Sequence, residues 1–312
     1  MKTKNFISKS IIFLLILGLL ISGVFIVWIS SLFGKSLPTE EGITSGNKEA
    51  EPVTTACVGP AEMIVLILGI DENEQTDAIR LARVDFVERK IIVLSIPRDF
   101  WVPIPGFSDH GITEGRINAV YGYGEYYHVE GGGIASTANT IYSNYGVKVD
   151  HYVAIHFNNF EKVIDKIGGV DIVLDKPVDA NFIAGKYHLT GKTAMEFVRI
   201  REVDTDDYRI DRQTLVMTQV LKKIKDTLNA VQLVSLGIEV VMDKTILADI
   251  NIKDLNSLAC LGKSMDYENI VFINIPQDMF KPYTTTGGAN VRIPEPSVVP
   301  FIQKVLKGEI DQ

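Results

Sequence analysis

Residues 63–70 read Met-Ile-Val-Leu-Ile-Leu-Gly-Ile, an apolar run without a single charge. A short run of that kind, with β-branched residues throughout, is the pattern of a strand buried on both faces. Asp71 follows at once, so the strand delivers a carboxylate to the edge of its sheet. Four more runs share the character: Lys90–Ile96 (KIIVLSI), stopped by Pro97, then Tyr152–Phe157 (YVAIHF), Val170–Leu174 and Ile270–Ile275. Helical patterns lie between and after them. Asn158–Ile167 has an Asn cap and a Gly168-Gly169 stop, Thr190–Ile200 has a Thr start, and Asp211–Leu228 sets Leu215, Val216, Val220, Leu221 and Ile224 on one side. Ile252–Met265 and Ser297–Lys307 complete the set. Strands alternating with helices predict an α/β domain with helices on both faces of the sheet. Residues 61–312 contain no repeat and no second linker, and read as one domain.

The whole chain has 312 residues, 46% hydrophobic and 22% charged. These are ordinary globular values, and they exclude collagen, coiled coil and wholesale disorder. The mean hydropathy of +0.15 points to a concentrated apolar segment. Ile11–Ile29 is that segment, 19 residues without a charge behind Lys2, Lys4 and Lys9. As a helix it measures about 28 Å, enough to cross a bilayer core. Trp28 sits near the far end, where interfacial aromatics gather. A cleaved signal peptide is the alternative, but Ser31-Leu32-Phe33 offers no small-x-small site. The expectation is therefore a cytoplasmic stub (1–10), a single-pass signal anchor in the cell membrane (11–33), a Gly/Ser/Thr/Pro/Glu-rich linker (34–60) and a domain outside the membrane. Setting aside the four lysines of residues 1–35 leaves 27 basic against 39 acidic residues, a net charge of −12. Such a domain excludes nucleic acid as a partner. Cys57 and Cys260 form no recognisable scaffold or metal motif; pairing and independent thiols both remain open.

Three charged stretches are candidates for chemistry. Asp71 and Asp77 stand six apart after the first strand. Either they converge on a hard divalent cation, Mg²⁺ or Mn²⁺, or they cap turns. Arg98 in Ser95-Ile96-Pro97-Arg98-Asp99 repeats the position of Asp71 at the end of another strand, and is otherwise a solvated ion-pair partner. Residues 197–213 (FVRIREVDTDDYRIDRQ) interleave Arg199, Arg201, Arg209 and Arg212 with five acids. Guanidinium forks suit phosphate, and the acids can orient them; a self-neutralising loop is the alternative. Arg116 after a Gly/Pro-rich loop is a further candidate cation. The Gly131-Gly132-Gly133 run can cradle phosphate at a helix start, or simply give a flexible entry, since it lacks a Walker Lys-Ser/Thr. The five histidines have no zinc spacing, and Ser95 lies in no G-x-S-x-G elbow.

In order, LGID (68–71), TD (76–77), SIPRD (95–99), RINAVYGYG (116–124), IGGVDI (167–172), LTGKTAMEFVRIR (189–201) and DTDDYRIDRQ (204–213) resemble the LytR-CpsA-Psr family. The likeness covers about residues 61–312 and extends to the N-terminal anchor. It implies a three-layer α/β/α domain with a central mixed sheet and a hydrophobic pocket for a polyprenyl chain. It implies transfer of a glycopolymer, such as teichoic acid or capsule, from a polyprenyl-diphosphate carrier to peptidoglycan, with Mg²⁺. By motif, Asp71 and Asp77 resemble the metal carboxylates, and Arg98, Arg199, Arg201 and Arg209 the pyrophosphate clamp, with Arg116 beside it. Asp206, three residues before Arg209, matches an orienting acid, and Gln213 closes the Arg-Gln pair. Asp77 or Asp206 is the candidate acceptor for the hydroxyl proton. The chain departs from the family at Gln75-Thr76-Asp77-Ala78, where Arg-Ser/Thr-Asp-Thr is common, at Arg116, where Lys is usual, and at Asp207-Tyr208, where Phe-Gly is more usual. Two other activities fit the same residues: hydrolysis of a polyprenyl diphosphate, and binding or regulation of lipid-linked wall polymer without turnover.

Overall fold

The computed structural model describes residues 59–200, 206–242 and 246–310. The expected anchor at 11–33, its linker up to residue 58 and Arg201 lie outside the described residues, and of Asp206 only the backbone is described. Among the described residues no helix is long and apolar enough to cross a membrane.

The strands are β1 (Glu62–Ile70), β2 (Thr76–Asp85), β3 (Lys90–Ile96), β4 (Trp101–Pro103), β5 (Glu114–Arg116), β6 (His151–His156), β7 (Val170–Leu174), β8 (Gly185–Leu189), β9 (Leu247–Ala248), β10 (Ile270–Asn274), β11 (Phe280–Thr284) and β12 (Asn290–Pro294). The helices are α1 (Val120–Tyr126), α2 (Gly132–Tyr145), α3 (Phe157–Lys166), α4 (Gly191–Arg199), α5 (Asp206–Thr227), α6 (Ala230–Met242), α7 (Ile252–Ser264) and α8 (Val298–Leu306). Six strands form a mixed sheet in the order β10-β3-β2-β1-β6-β9. β1 runs parallel to β6 and β3 parallel to β10, while β1–β2, β2–β3 and β6–β9 are antiparallel.

Why β1 is apolar throughout follows from what covers it. Leu66, Leu68 and Ile70 pack with Ile141 and Tyr145 of α2 and with Val298, Ile302 and Val305 of α8. Met63 and Val65 point to the opposite face, against Leu261 of α7 and the adjoining Met265. Alternate residues thus enter two separate cores, and neither face meets water. A third core joins Ile164 of α3, Phe197 and Val198 of α4 and Val216 of α5 to Val170, Ile172 and Leu174 of β7.

Three elements differ from the sequence expectation. β7 is not in the central sheet; it pairs only with β8 in a separate hairpin. Its burial alternates, with Val170, Ile172 and Leu174 inward and the exposed Val173 disguising a one-sided strand. β2 is a central strand that the hydrophobic pattern misses, because Asp77, Arg80, Arg83 and Asp85 interrupt it. Each of those charges is buried or nearly so and has a specific partner, as buried charge requires. α5 begins at Asp206, five residues before the apolar periodicity does. Cys260 in α7 is disulfide-bonded, and Cys57 lies outside the described residues.

The entry to α4 is the tightest backbone approach near the third core. Thr190 Oγ1 caps it by accepting from the Thr193 amide at 3.4 Å, and the Gly191 amide donates to Asp165 Oδ1 at 2.7 Å. A Cβ on Gly191 would lie 2.2 Å from the Glu161 carbonyl oxygen. Gly191→Ala must separate α3 from α4, so a destabilisation of about 1–3 kcal/mol is expected. Thermal denaturation reads it as a melting temperature lowered by several degrees; an unchanged midpoint would show that the two helices can part freely.

Candidate functional site

β2 is antiparallel to both β1 and β3, so the exits of β1 and β3 and the entry of β2 share one sheet edge. That edge brings Asp71, Asp77 and Arg98 together. The register slips between Gly69 and Ile70, a bulge at the last step before the edge.

Asp71 organises the turn from β1 to β2. Its Oδ1 accepts from the amides of Asn73 at 2.8 Å and Gln75 at 2.9 Å, and its own amide donates to the Gln75 carbonyl at 2.8 Å. The residue is 7% exposed and has no cationic partner among the described residues. Asp77, 5% exposed, is the opposite case. Its Oδ1 accepts a hydrogen bond from Arg98 Nη1, and Arg209 Nη1 lies 3.7 Å from the same oxygen. Gln213, one helical turn beyond Arg209, places Nε2 at 3.5 Å from the Asp77 carbonyl. The two acids expected to act alike therefore differ: one is bonded to backbone amides, the other to guanidinium groups.

The other predicted residues separate by role. Arg199 at the end of α4 pairs with Glu72 at 2.8 Å and lies over the Phe157 ring at 5.2 Å. Arg116 at the end of β5 donates Nη2 to the Asn290 carbonyl at 2.9 Å, which brings the β12 start to the site. Arg212 turns away; it is buried and donates to the Ile200 carbonyl at 2.6 Å, pinning the path between α4 and α5. The Gly131–Gly133 loop is already used, since Glu125 Oε1 accepts from the Gly133 amide at 2.7 Å. An anion seat is thus filled by the chain's own carboxylate.

Two cavities lie near this edge. A polar cavity of about 450 Å³ is lined by Asp71, Gln75, Arg98, Arg116, Asn118 and Arg199, among others. An apolar slot of about 170 Å³ lies between β1, β2 and the helices α3, α4 and α5, with Gly69, Phe157, Met195, Val216 and Val220 in its wall. A narrow gap adjoins both: Arg98 borders it and the polar cavity, while Ala78, Arg80 and Gln213 border it and the slot.

Three participants went unread in the sequence. Gln75 and Asn118 bond each other at 3.0 Å in the cavity wall; Gln75 stood out in the sequence only as a departure from the family pattern, and Asn118 only as part of the motif that carries Arg116. Arg80, 1% exposed, reaches α5 through Thr214 Oγ1 at 3.1 Å and the Ile210 carbonyl at 3.3 Å. Burial lowers its pKa to about 10, partly offset by Asp211, so it stays charged at neutral pH. Among the described residues no three His, Cys, Asp or Glu side chains cluster as a self-sufficient metal site.

Known proteins resemble this chain in sequence and in fold. The chain is 29% identical over 230 residues, 69% of its length and 72% of the relative's, to the polyisoprenyl-teichoic acid–peptidoglycan teichoic acid transferase TagU of Bacillus mycoides (strain KBAB4). It is 31% identical over 170 residues, 51% of its length and 48% of the relative's, to the regulatory protein MsrR of Staphylococcus aureus (strain COL). The solved structure of TagT bound to LIIa-WTA superposes with a TM-score of 0.63 at 24% identity, covering 84% of this chain and 93% of that one. The sequence model of the LytR_cpsA_psr family matches residues 31–298, and the chain belongs to that family.

Proposed function

We propose that the protein is a membrane-anchored phosphotransferase that moves a glycopolymer from a polyprenyl-diphosphate carrier onto peptidoglycan outside the cytoplasmic membrane. The observation that carries the reading is the pairing of an arginine-lined polar cavity with an apolar slot across a shared gap. A diphosphate joined to a prenyl chain needs such a pair: cations for one end and hydrocarbon for the other. The relationship to TagU supports the same substrate class.

In the proposed reaction the acceptor hydroxyl oxygen attacks the sugar-side phosphorus. A new P–O bond forms, the bridging P–O bond of the diphosphate breaks, and prenyl phosphate leaves with the bond's electron pair. The hydroxyl proton passes to a carboxylate, for which Asp77 is the candidate whose surroundings are described. Arg98 and Arg209 neutralise charge that grows on the leaving phosphate, and Arg199 and Arg116 border the polar side. Such positioned cations are the main source of catalysis in phosphoryl transfer. The N-terminal apolar segment would hold the domain where the lipid carrier resides.

Asp71 fits a divalent cation. It is a buried carboxylate with no cationic partner among the described residues, facing a cavity with amide oxygens beside it. Hard oxygen donors of this kind suit Mg²⁺ or Mn²⁺. Asp71 would hold the ion with Asp77 nearby, and the bound ion would supply further neutralisation of the diphosphate. Asp71→Asn keeps an acceptor for the Asn73 and Gln75 amides while removing the charge. Titration of activity with Mg²⁺ is expected to show a half-saturating concentration raised at least tenfold; an unchanged curve would dismiss Asp71 as a ligand.

The purified full chain, a prenyl-diphosphate-linked glycopolymer, Mg²⁺ and peptidoglycan fragments test the whole reading. Polymer covalently joined to the glycan through phosphate is the expected product. Free phosphate-terminated polymer would mean hydrolysis instead, and unconsumed, tightly held lipid would mean a binding protein.

A further inference from the structure

Arg80 is a charge in an unusual place. It sits in the middle of β2, it is 1% exposed, and it forms no ion pair among the described residues. Burying a cation without a salt-bridged carboxylate is costly even with Asp211 in range, and a Met or Leu would fill the same wall without that cost. Ser95 stands opposite it in register and buries its hydroxyl without a hydrogen-bond partner, although both residues border the same gap. The guanidinium donates instead to α5.

The two acceptors on α5 are informative. Ile210 follows Arg209, and Thr214 follows Gln213. Arg209 and Gln213, one turn apart, are the residues that α5 presents to Asp77. Asp77 itself lies three residues before Arg80 on β2. A planar fork reaching two acceptors one turn apart fixes how far α5 can slide or roll over β2, which a single-point ammonium does not. The same helix supplies Val216, Met217 and Val220 to the apolar slot, and Arg80 also lines that slot. A chain entering the slot must therefore press on α5 within one or two turns of the segment Arg80 holds.

We propose that Arg80 is a positioning residue that couples occupancy of the apolar slot to the placement of Arg209 and Gln213 at the polar cavity. This rests on the reading of the slot as a lipid seat and the cavity as a diphosphate seat. A filled slot seats α5 against Arg80, and the clamp then closes on the diphosphate. The empty protein keeps the clamp looser and discriminates against phosphates that carry no lipid.

Calorimetric titration of inorganic pyrophosphate into the full chain, with and without saturating farnesol, tests the coupling in the presence of Mg²⁺. In the parent protein farnesol is expected to tighten pyrophosphate binding about tenfold. Arg80→Met should still bind farnesol and lose that tightening. Arg80→Lys, which keeps charge and approximate length but lacks the fork, should show a reduced coupling; it keeps the test decisive if the Met variant fails to fold. Full coupling in either variant, no coupling in the parent, or a parallel loss of farnesol affinity and melting temperature in both variants would overturn the proposal. A transfer assay on the parent separates the two readings. Transfer without coupling removes the role of Arg80 and leaves the transferase standing, whereas coupling without transfer does the reverse.

Discussion

Arg98→Ala is expected to lower turnover about a thousandfold while leaving a folded protein. Arg98 lies just past the end of β3, so truncating it removes no ladder hydrogen bond and no core side chain. What it removes is a guanidinium that borders the polar cavity and the gap together and bonds Asp77. Two losses combine. The leaving phosphate loses a positioned cation, and Asp77, 5% exposed, loses the guanidinium that bonds its Oδ1. A buried carboxylate deprived of its closest partner is destabilising in its own right. Asp77→Asn in the same chain should recover stability without recovering turnover, which separates the structural loss from the chemical one. Steady-state kinetics and thermal denaturation on the two single variants and the double variant make the measurement. Turnover within tenfold of the parent in Arg98→Ala would remove this arginine from the proposed chemistry.

Gly69→Leu should weaken lipid-linked donor binding about a hundredfold and spare inorganic pyrophosphate. Gly69 is the last residue of β1 before the bulge and borders the slot. A Cβ there would stand 3.2 Å from Ala78 Cβ and 3.5 Å from Phe157 Cε1, so the added side chain has only the slot to enter. Each prenyl methylene kept out of apolar surroundings forfeits about 0.8 kcal/mol. Excluding four of them weakens the donor by about 3 kcal/mol, roughly a hundredfold or more in Kd. The polar cavity has no wall in common with Gly69, so pyrophosphate affinity serves as the internal control. Equal loss for both ligands would point to a distorted sheet edge, and no loss for the donor would mean that its chain lies elsewhere.

How much of this could be read beforehand depended on whether side-chain type tracked burial. β1 and β3 declared themselves because burial on both faces leaves them mostly apolar, and β6 and β10 because their apolar runs are continuous although they are largely half-buried. β2 lies between β1 and β3 and was invisible, since hydrophobicity cannot report a strand whose charges are buried with dedicated partners. Arg83 pairs with Glu62 and Asp85, and Arg80 reaches α5, neither of which spacing along the chain reveals. The arginines of 197–213 were legible as a group but not as individuals. Arg209 and Arg212 are three apart, yet one meets Asp77 and the other pins the Ile200 carbonyl, a choice made by the helix phase of α5 relative to β2. Asp71 and Asp77 looked equivalent because composition cannot distinguish a carboxylate bonded to amides from one bonded to guanidinium groups.

The bond from Arg116 to the Asn290 carbonyl joins residues 174 positions apart, and the Arg292 amide donates to the Asp99 carbonyl at 3.0 Å across a similar span. Contacts of such separation form late, because the loop they close must be ordered first. A chain made from its N-terminus presents Arg98 and Arg116 long before the strand that walls their cavity exists. The β4–β5 pairing and the bond from the Asn118 amide to the Arg98 carbonyl can bring these two cations together locally, but the Asn290 wall of their cavity is added only when β12 arrives. Order of assembly thus closes the cavity last: a growing or truncated chain has the charges before it has the complete vessel.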